Sequence, residues 1–185
     1  MLKALFLQNG FREAEAETIS LLFKKKIIRK NDFFIEEGKT SKHLAFISKG
    51  LFQYFYNKEG KEITTYISGE NTFLASLGSF INQQPCKESI RAMIDSEIWM
   101  IHHKDLQILK LESEAFKSFY IDVLEHLLVC MDDSKTKLIT LTAEERYEAL
   151  LKEEPTLLQQ IPLQYLATIL GVTPRHLSRI RNNIR

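Results

Sequence analysis

Hydrophobic and polar positions follow three rhythms along the chain. Phe11, Ala14, Ile19, Leu22 and Phe23 recur at helical spacing among Glu and Arg, which predicts one amphipathic helix over 11–24. Lys24, Lys25 and Lys26 read as its solvated end, where cations offset the negative pole of the helix dipole. From Ile27 to about His103 the rhythm shortens. KIIRK, DFFIEEG, HLAFISKG, LFQYFYN, EITTYIS, SIRAMI and EIWMIHH are runs rich in strand-forming residues, and Gly38, Gly50, Gly60 and Gly69 punctuate them at roughly ten-residue intervals. That spacing predicts an antiparallel β-roll or jelly roll. Leu51–Tyr56 is apolar enough to bury both faces, and Asn57–Gly60 predicts a hairpin turn. Phe73–Phe80 breaks the strand rhythm and predicts a short helical turn laid against the sheet, either a packed connector or a helix N-terminus that receives an anion.

The third rhythm is helical throughout. Lys104-Asp105-Leu106 opens a helical tract, and a longer helix is predicted over 112–138. Its apolar residues form two stripes, one of Phe116, Tyr120, Val123, Leu127 and Cys130, the other of Phe119, Leu124, Leu128 and Met131. One stripe can pack on the roll and leave the other for a second subunit; alternatively both enter a single core. The first stripe is taken as the dimer seam. Thr142 and Glu145 fit a capping box that starts a further helix, which ends before Pro155.

The last stretch, LQYLATILGVTPRHLSRIRNNIR, predicts a helix-turn-helix. One helix spans about Pro162 to Leu170, Gly171 follows its end, and Thr173-Pro174 caps the second helix. Leu166, Leu170, Val172, Leu177, Ile180 and Ile184 fall where the helices would touch, with small Ala167 at their closest approach. Arg175, His176, Ser178, Arg179 and Arg181 point outward, and no Asp or Glu occurs after Glu154. This is the pattern of a basic recognition helix. Arg175, His176 and Arg179 are the candidates for base edges; Gln164, Thr173 and Ser178 are candidates for phosphates, and Arg181 and Arg185 for the DNA backbone. Three regions result: a sensor-like roll over 1–111, a dimerisation helix over 112–138 and a DNA-binding domain over 139–185.

Composition changes this picture little. The formal net charge of +1 leaves only the location of charge to speak for nucleic acid, and 44% hydrophobic content suits one or two globular domains. No apolar run approaches the roughly 20 residues that span a bilayer, and the first residues do not resemble a signal peptide, so a cytoplasmic protein is expected. Cys86 and Cys130 form no disulfide framework and no cysteine-only metal site. His102 and His103 are adjacent on a predicted strand and point to opposite faces; His43, His126 and His176 have no ligand spacing. No nucleophile–base arrangement, phosphate-binding glycine loop or carboxylate pair stands out. The expectation is a non-enzyme without metal or cofactor.

A strand-rich roll, a long helix and a terminal helix-turn-helix together resemble the Crp/Fnr family of bacterial transcription regulators. The resemblance covers nearly the whole chain. It is strongest in IPLQYLATILGVTPRHLSRIRNNI and AEERYEALLKEEPTL, and looser in FLASLGSF followed by SIRAMIDSEIWMI. It implies a homodimer that binds an inverted-repeat operator in double-stranded DNA and acts near promoters with RNA polymerase. It also implies a candidate ligand pocket at Ser76, Cys86, Lys87, Arg91 and Asp132. The departures matter. Nucleotide-binding members carry Gly-Glu in the phosphate cassette, where this chain has Ala75-Ser76, and an Arg where Cys86 aligns. A thiol cannot make the bidentate contact that a guanidinium makes with phosphate. Cyclic AMP is therefore not expected by the usual contacts, and the effector is left unidentified. A regulator using altered nucleotide contacts and a protein-interaction module are the alternative readings. Cluster-bearing oxygen sensors of the family use four cysteines, and this chain has 2. Many members add a β-hairpin wing after the recognition helix, and the sequence reaches Arg185 without a full one.

Overall fold

Among the residues described by the computed structural model, 1–184, eight strands between Lys24 and His102 pair antiparallel into two sheets. The first holds β1 (Lys24–Ile28), β8 (Ser96–His102), β3 (His43–Lys49) and β6 (Phe73–Leu74) in that order. The second holds β2 (Phe33–Ile35), β7 (Ser89–Ala92), β4 (Phe52–Lys58) and β5 (Lys61–Ser68). Side chains alternate across each strand. Ala45, Ile47 and Ile98 of the first sheet therefore meet Ile35, Phe52, Tyr54, Ile90 and Ala92 of the second in the core of the roll.

The opposite face of the first sheet presents Leu44, Phe46 and Ile101 to helices. These are α1 (Leu2–Gln8), α2 (Glu13–Leu21), α4 (His103–Glu112) and the start of α5 (Glu114–Thr140). Phe6 is fully buried there, ringed by Phe11, Phe23, Phe116 and Phe119 at centroid distances of 5.4–6.3 Å. The inner strand β3 is thus buried on both faces, which is why Leu44–Ile47 reads as an unbroken apolar run.

The second sheet carries the C-terminal elements at one end. Leu51 and Ile67 pack with residues of α6 (Ala143–Glu153), α8 (Leu163–Ile169) and α9 (Pro174–Asn183), α7 (Pro155–Gln160) lying between α6 and α8. Arg146 ties this assembly together. Its guanidinium donates to the Leu141 carbonyl past the end of α5 and to the Leu170 carbonyl at 2.7 Å past the end of α8.

The helix expected over 11–24 is α2, one helix over Glu13–Leu21; a further helix that spacing did not predict, α1, precedes it across Gly10 at φ +85°. Lys24, Lys25 and Lys26 do not end a helix; they lie exposed on edge strand β1, where lysines discourage pairing with another chain. Phe73 and Leu74 likewise form strand β6, so the short helix α3 spans only Leu77–Asn82. The hairpin falls as expected. Glu59 (φ +55°) and Gly60 (φ +80°) join β4 to β5, and Asn57 Oδ1 accepts from the Gly60 amide at 3.0 Å. The long helix starts at Glu114, and the Thr142–Glu145 capping box is present.

Candidate nucleic-acid interface and effector pocket

The two terminal helices owe their geometry to a few residues. Gly171 takes φ +68° just past α8, and the Val172 amide donates back to the Ala167 carbonyl at 2.9 Å. Thr173 Oγ1 accepts from the His176 amide at 3.2 Å, and Pro174 occupies the first turn of α9 without losing a hydrogen bond. Leu166, Ala167, Leu177 and Ile180 are buried between the helices. That fixes the opposite side of α9. Arg175, His176, Ser178 and Arg179 are exposed there, Arg181 is half-buried, and Gln164 is exposed on α8. Among the described residues, Arg175, Arg179 and Arg181 have no carboxylate within ion-pair distance. The contact assigned to Arg185 lies outside the described residues.

The stripes of α5 fall differently from the expected seam. Phe116 keeps only 2% of its surface exposed and, with buried Phe119, sits in the aromatic core; Tyr120 and Val123 pack against that core. Further along this stripe Leu127 is half-buried and Cys130 is exposed. The N-terminal part of the expected seam thus turns toward its own chain, and Phe116 has no surface left for another. Of the second stripe, Phe119 is buried and Leu124 half-buried, while Leu128 at 65% and Met131 at 58% are exposed; with Ile121 at 44% and Leu138 at 53% they make the open face.

The five candidate pocket residues do not converge. Ser76 is buried at the head of α3. Cys86 is buried in the roll core, its thiol donating to the Glu36 carbonyl at 3.1 Å, and burial pushes its pKa up. Lys87 is exposed. Arg91 lies outside the roll, because alternation along β7 gives the inner face to Ile90 and Ala92. There it is bound by Gln53 at 2.9 Å and Glu62 at 2.6 Å and stacks over Phe55 at 4.7 Å. Asp132 is exposed on α5, beside Leu128 and Val129 around a shallow groove of about 400 Å³.

Sequence reasoning missed the polar groups that do gather near Ser76. The Tyr54 hydroxyl accepts from the Ala75 amide at 3.3 Å, and its ring meets that of Tyr66 edge-on at 5.5 Å. Burial raises the pKa of both phenols. Glu88 is half-buried. Burial pushes its carboxyl above the usual range, while the Ser76 hydroxyl opposes the shift. Alternation alone gave no signal for this cluster, since its members come from β4, β5 and the turns flanking α3. It contains no guanidinium, so it lacks the fork that a cyclic phosphate favours. A carboxyl with a raised native pKa binds protons more tightly when folded, so its contribution is favourable below the unfolded pKa and is lost as pH rises through the folded one. Glu88→Gln is therefore expected to raise the thermal midpoint at pH 7 and to leave it unchanged at pH 4. Equal shifts at both pH values would exclude charge burial as the cause.

Among the described residues no group of three or more His, Cys, Asp and Glu is arranged to hold a metal, and no helix is long and apolar enough to cross a membrane. Residues 25–113 match the cyclic nucleotide-binding domain family. No curated protein sequence matches. Solved structures do. FixK2 from Bradyrhizobium japonicum superposes with a TM-score of 0.75 at 13% identity, over 88% of this chain and 84% of that one. CLP from Xanthomonas campestris, described as a c-di-GMP responsive global regulator, gives 0.70 at 17% identity, over 94% and 91%. A crp/fnr family regulator from Eubacterium rectale gives 0.69 at 16% identity, over 96% and 85%.

Proposed function

We propose that this chain, whose residues 25–113 belong to the cyclic nucleotide-binding domain family and whose fold is that of the Crp/Fnr regulators, is a dimeric, sequence-specific DNA-binding transcription regulator. One observation carries the reading: α9 exposes Arg175, His176 and Arg179 from a helix whose other side is locked by Leu177 and Ile180, and no acid neutralises its arginines among the described residues. In the major groove the forked guanidinium of Arg179 or Arg175 matches the two acceptors of guanine. Thr173, Ser178 and Gln164 stand at the rim, where phosphates lie. Thr173 can donate its hydroxyl proton outward while its oxygen caps the helix.

Dimerisation supplies the second half-site. Ile121, Leu124, Leu128, Met131 and Leu138 follow the three-and-four spacing of a coiled-coil seam, with Lys135 at the polar position between them. Burying this open stripe against its two-fold copy would set the two α9 helices for half-sites about 34 Å apart. The roll then serves as a sensor or scaffold, without cyclic AMP bound by the usual contacts. The protein acts in the cytoplasm, with RNA polymerase a further expected partner and no catalytic role.

Selection of bound sites from random DNA is expected to return an inverted repeat. On that operator, Arg179→Ala should weaken binding by roughly 1–3 kcal/mol and relax the preference at one base pair in each half-site. Gel shifts in which the variant retains wild-type affinity and sequence preference would remove Arg179 from the interface.

A further inference from the structure

At the edge where β1 and β2 lie, a cleft of about 260 Å³ opens into the roll. Phe34 and Met100 line it and pack against the inter-sheet core, giving it an apolar side. Its charged lining is mostly basic, beside Thr40 and Ser41. Lys26 comes from β1, Lys39 and Lys42 from the β2–β3 loop, and His43 from the start of β3. Glu36 is the carboxylate in the lining, and it is already paired with Lys39. Lys26 and Lys42 have no carboxylate within ion-pair distance among the described residues. Ser76, Glu88 and Tyr54 do not line this cleft, so it is separate from the effector cluster.

Strand pairing explains why the charges collect here. His43 lies opposite His102 across β3 and β8, with ring centroids 5.1 Å apart. His43 and Lys26 fall in phase with the inner-facing residues of the same sheet, but beyond the end of its apolar core. Burial lowers the His43 pKa, and nearby His102, Lys26 and Lys42 lower it further; Asp105 of α4 is the opposing charge. The imidazole therefore sits in a positive field with an apolar wall beside it.

We propose that this cleft is a binding site for a small soluble molecule bearing a phosphate group, held by Lys26, Lys42 and His43, with its apolar body on Phe34 and Met100. Lysines serve phosphate as mobile point charges. An anion placed among these groups favours protonated His43, so binding must raise the His43 pKa and tighten as pH falls through the histidine range. The site is independent of DNA reading by α9.

Phenyl phosphate is a suitable probe, because it joins the required charge to an apolar ring. Titration of the full chain, followed by calorimetry and by the histidine ring signals in NMR, should give saturable binding tighter than that of inorganic phosphate. The His43 pKa should rise in the complex. The double variant Lys26→Gln/Lys42→Gln, whose side chains are exposed and whose melting should match wild type, is expected to lose at least tenfold in affinity. Arg175→Ala/Arg179→Ala should bind phenyl phosphate as wild type does. The proposal is overturned if binding does not saturate, or if the lysine variant binds equally well. It is also overturned if the α9 variant abolishes binding, which would move the anion to the DNA-reading helix. Capture by phosphatidylglycerol vesicles with the same lysine dependence would replace the soluble ligand with a lipid headgroup.

Discussion

Leu177→Asp is expected to unfold the terminal helix pair and abolish operator binding while the roll stays folded. Leu177 is fully buried with Leu166, Ala167 and Ile180, in a cluster that also takes in Tyr147 of α6. The side chains around it in that cluster are apolar or aromatic, and the nearby Arg146 guanidinium is already spent on the Leu141 and Leu170 carbonyls. Leaving a charge buried without a partner costs about 3–5 kcal/mol, enough to exhaust the stability of a small helical unit. The roll has its own two cores and loses the cover over Leu51, Ile67 and Met93. Circular dichroism should report partial loss of helix, and the aromatic signals of the roll should persist. Leu177→Met conserves volume and should cost less than about 1.5 kcal/mol. An aspartate variant with unchanged helix content and melting would refute the assignment of Leu177 to this core.

The other large effect is expected at Gly50→Ala. Gly50 turns the chain between β3 and β4 at φ +134°, a conformation that L side chains rarely adopt. An added Cβ would also overlap the Ser96 side chain and lie 3.0 Å from the Ser96 Cα. Ser96 cannot retreat easily. It is 3% exposed, begins β8, and donates its hydroxyl to the Ile94 carbonyl at 2.8 Å. Backbone strain of about 1–3 kcal/mol and overpacking of about 1–3 kcal/mol act together, so the thermal midpoint should fall by roughly 5–15 °C. Gly10→Ala separates the two causes. Gly10 also has positive φ, at +85°, but nothing lies within 4 Å of its added Cβ. That variant should show the backbone part alone. Equal losses at the two positions would mean that contact with Ser96 contributes nothing.

The two ends of α5 illustrate how far residue spacing reaches. Both apolar stripes were legible, because period-3.6 spacing is a property of one helix taken by itself. Which of their residues meet the roll was not. Spacing put Phe116 and Phe119 in separate stripes, and only the packing of α1, α2 and β3 decides that both are covered. Arg91 repeats the lesson in a strand. Its neighbours Ile90 and Ala92 are apolar, so alternation separates it from them, but the resemblance drew attention to its charge and placed it in the pocket. Its partners Glu62 and Gln53 come from β5 and β4, distant in sequence.

Lys24–Lys26 was misread for a related reason. A cationic run satisfies a helix terminus and a sheet edge equally well, and hydrogen bonding of Lys24–Ile28 to Ser96–Met100 selects the edge. The Tyr54, Tyr66, Ser76 and Glu88 cluster had no sequence signal at all, since its members are joined by cross-strand pairing and not by spacing.

The sequence by itself determined what local chemistry controls. It carried the roll of short strands, the hairpin at Glu59-Gly60, the capped helix at Thr142, and the terminal helix pair with Gly171, Thr173 and Pro174 at its joint. Each depends on dihedral preference, capping or periodicity within a few residues. Tertiary structure alone decided which side of α5 is open, that Arg91 stands outside the roll, and that Lys26, Lys42 and His43 share one cleft. Those outcomes depend on contacts between residues far apart in the chain, whose free energy is set only when the sheets pair and the helices pack.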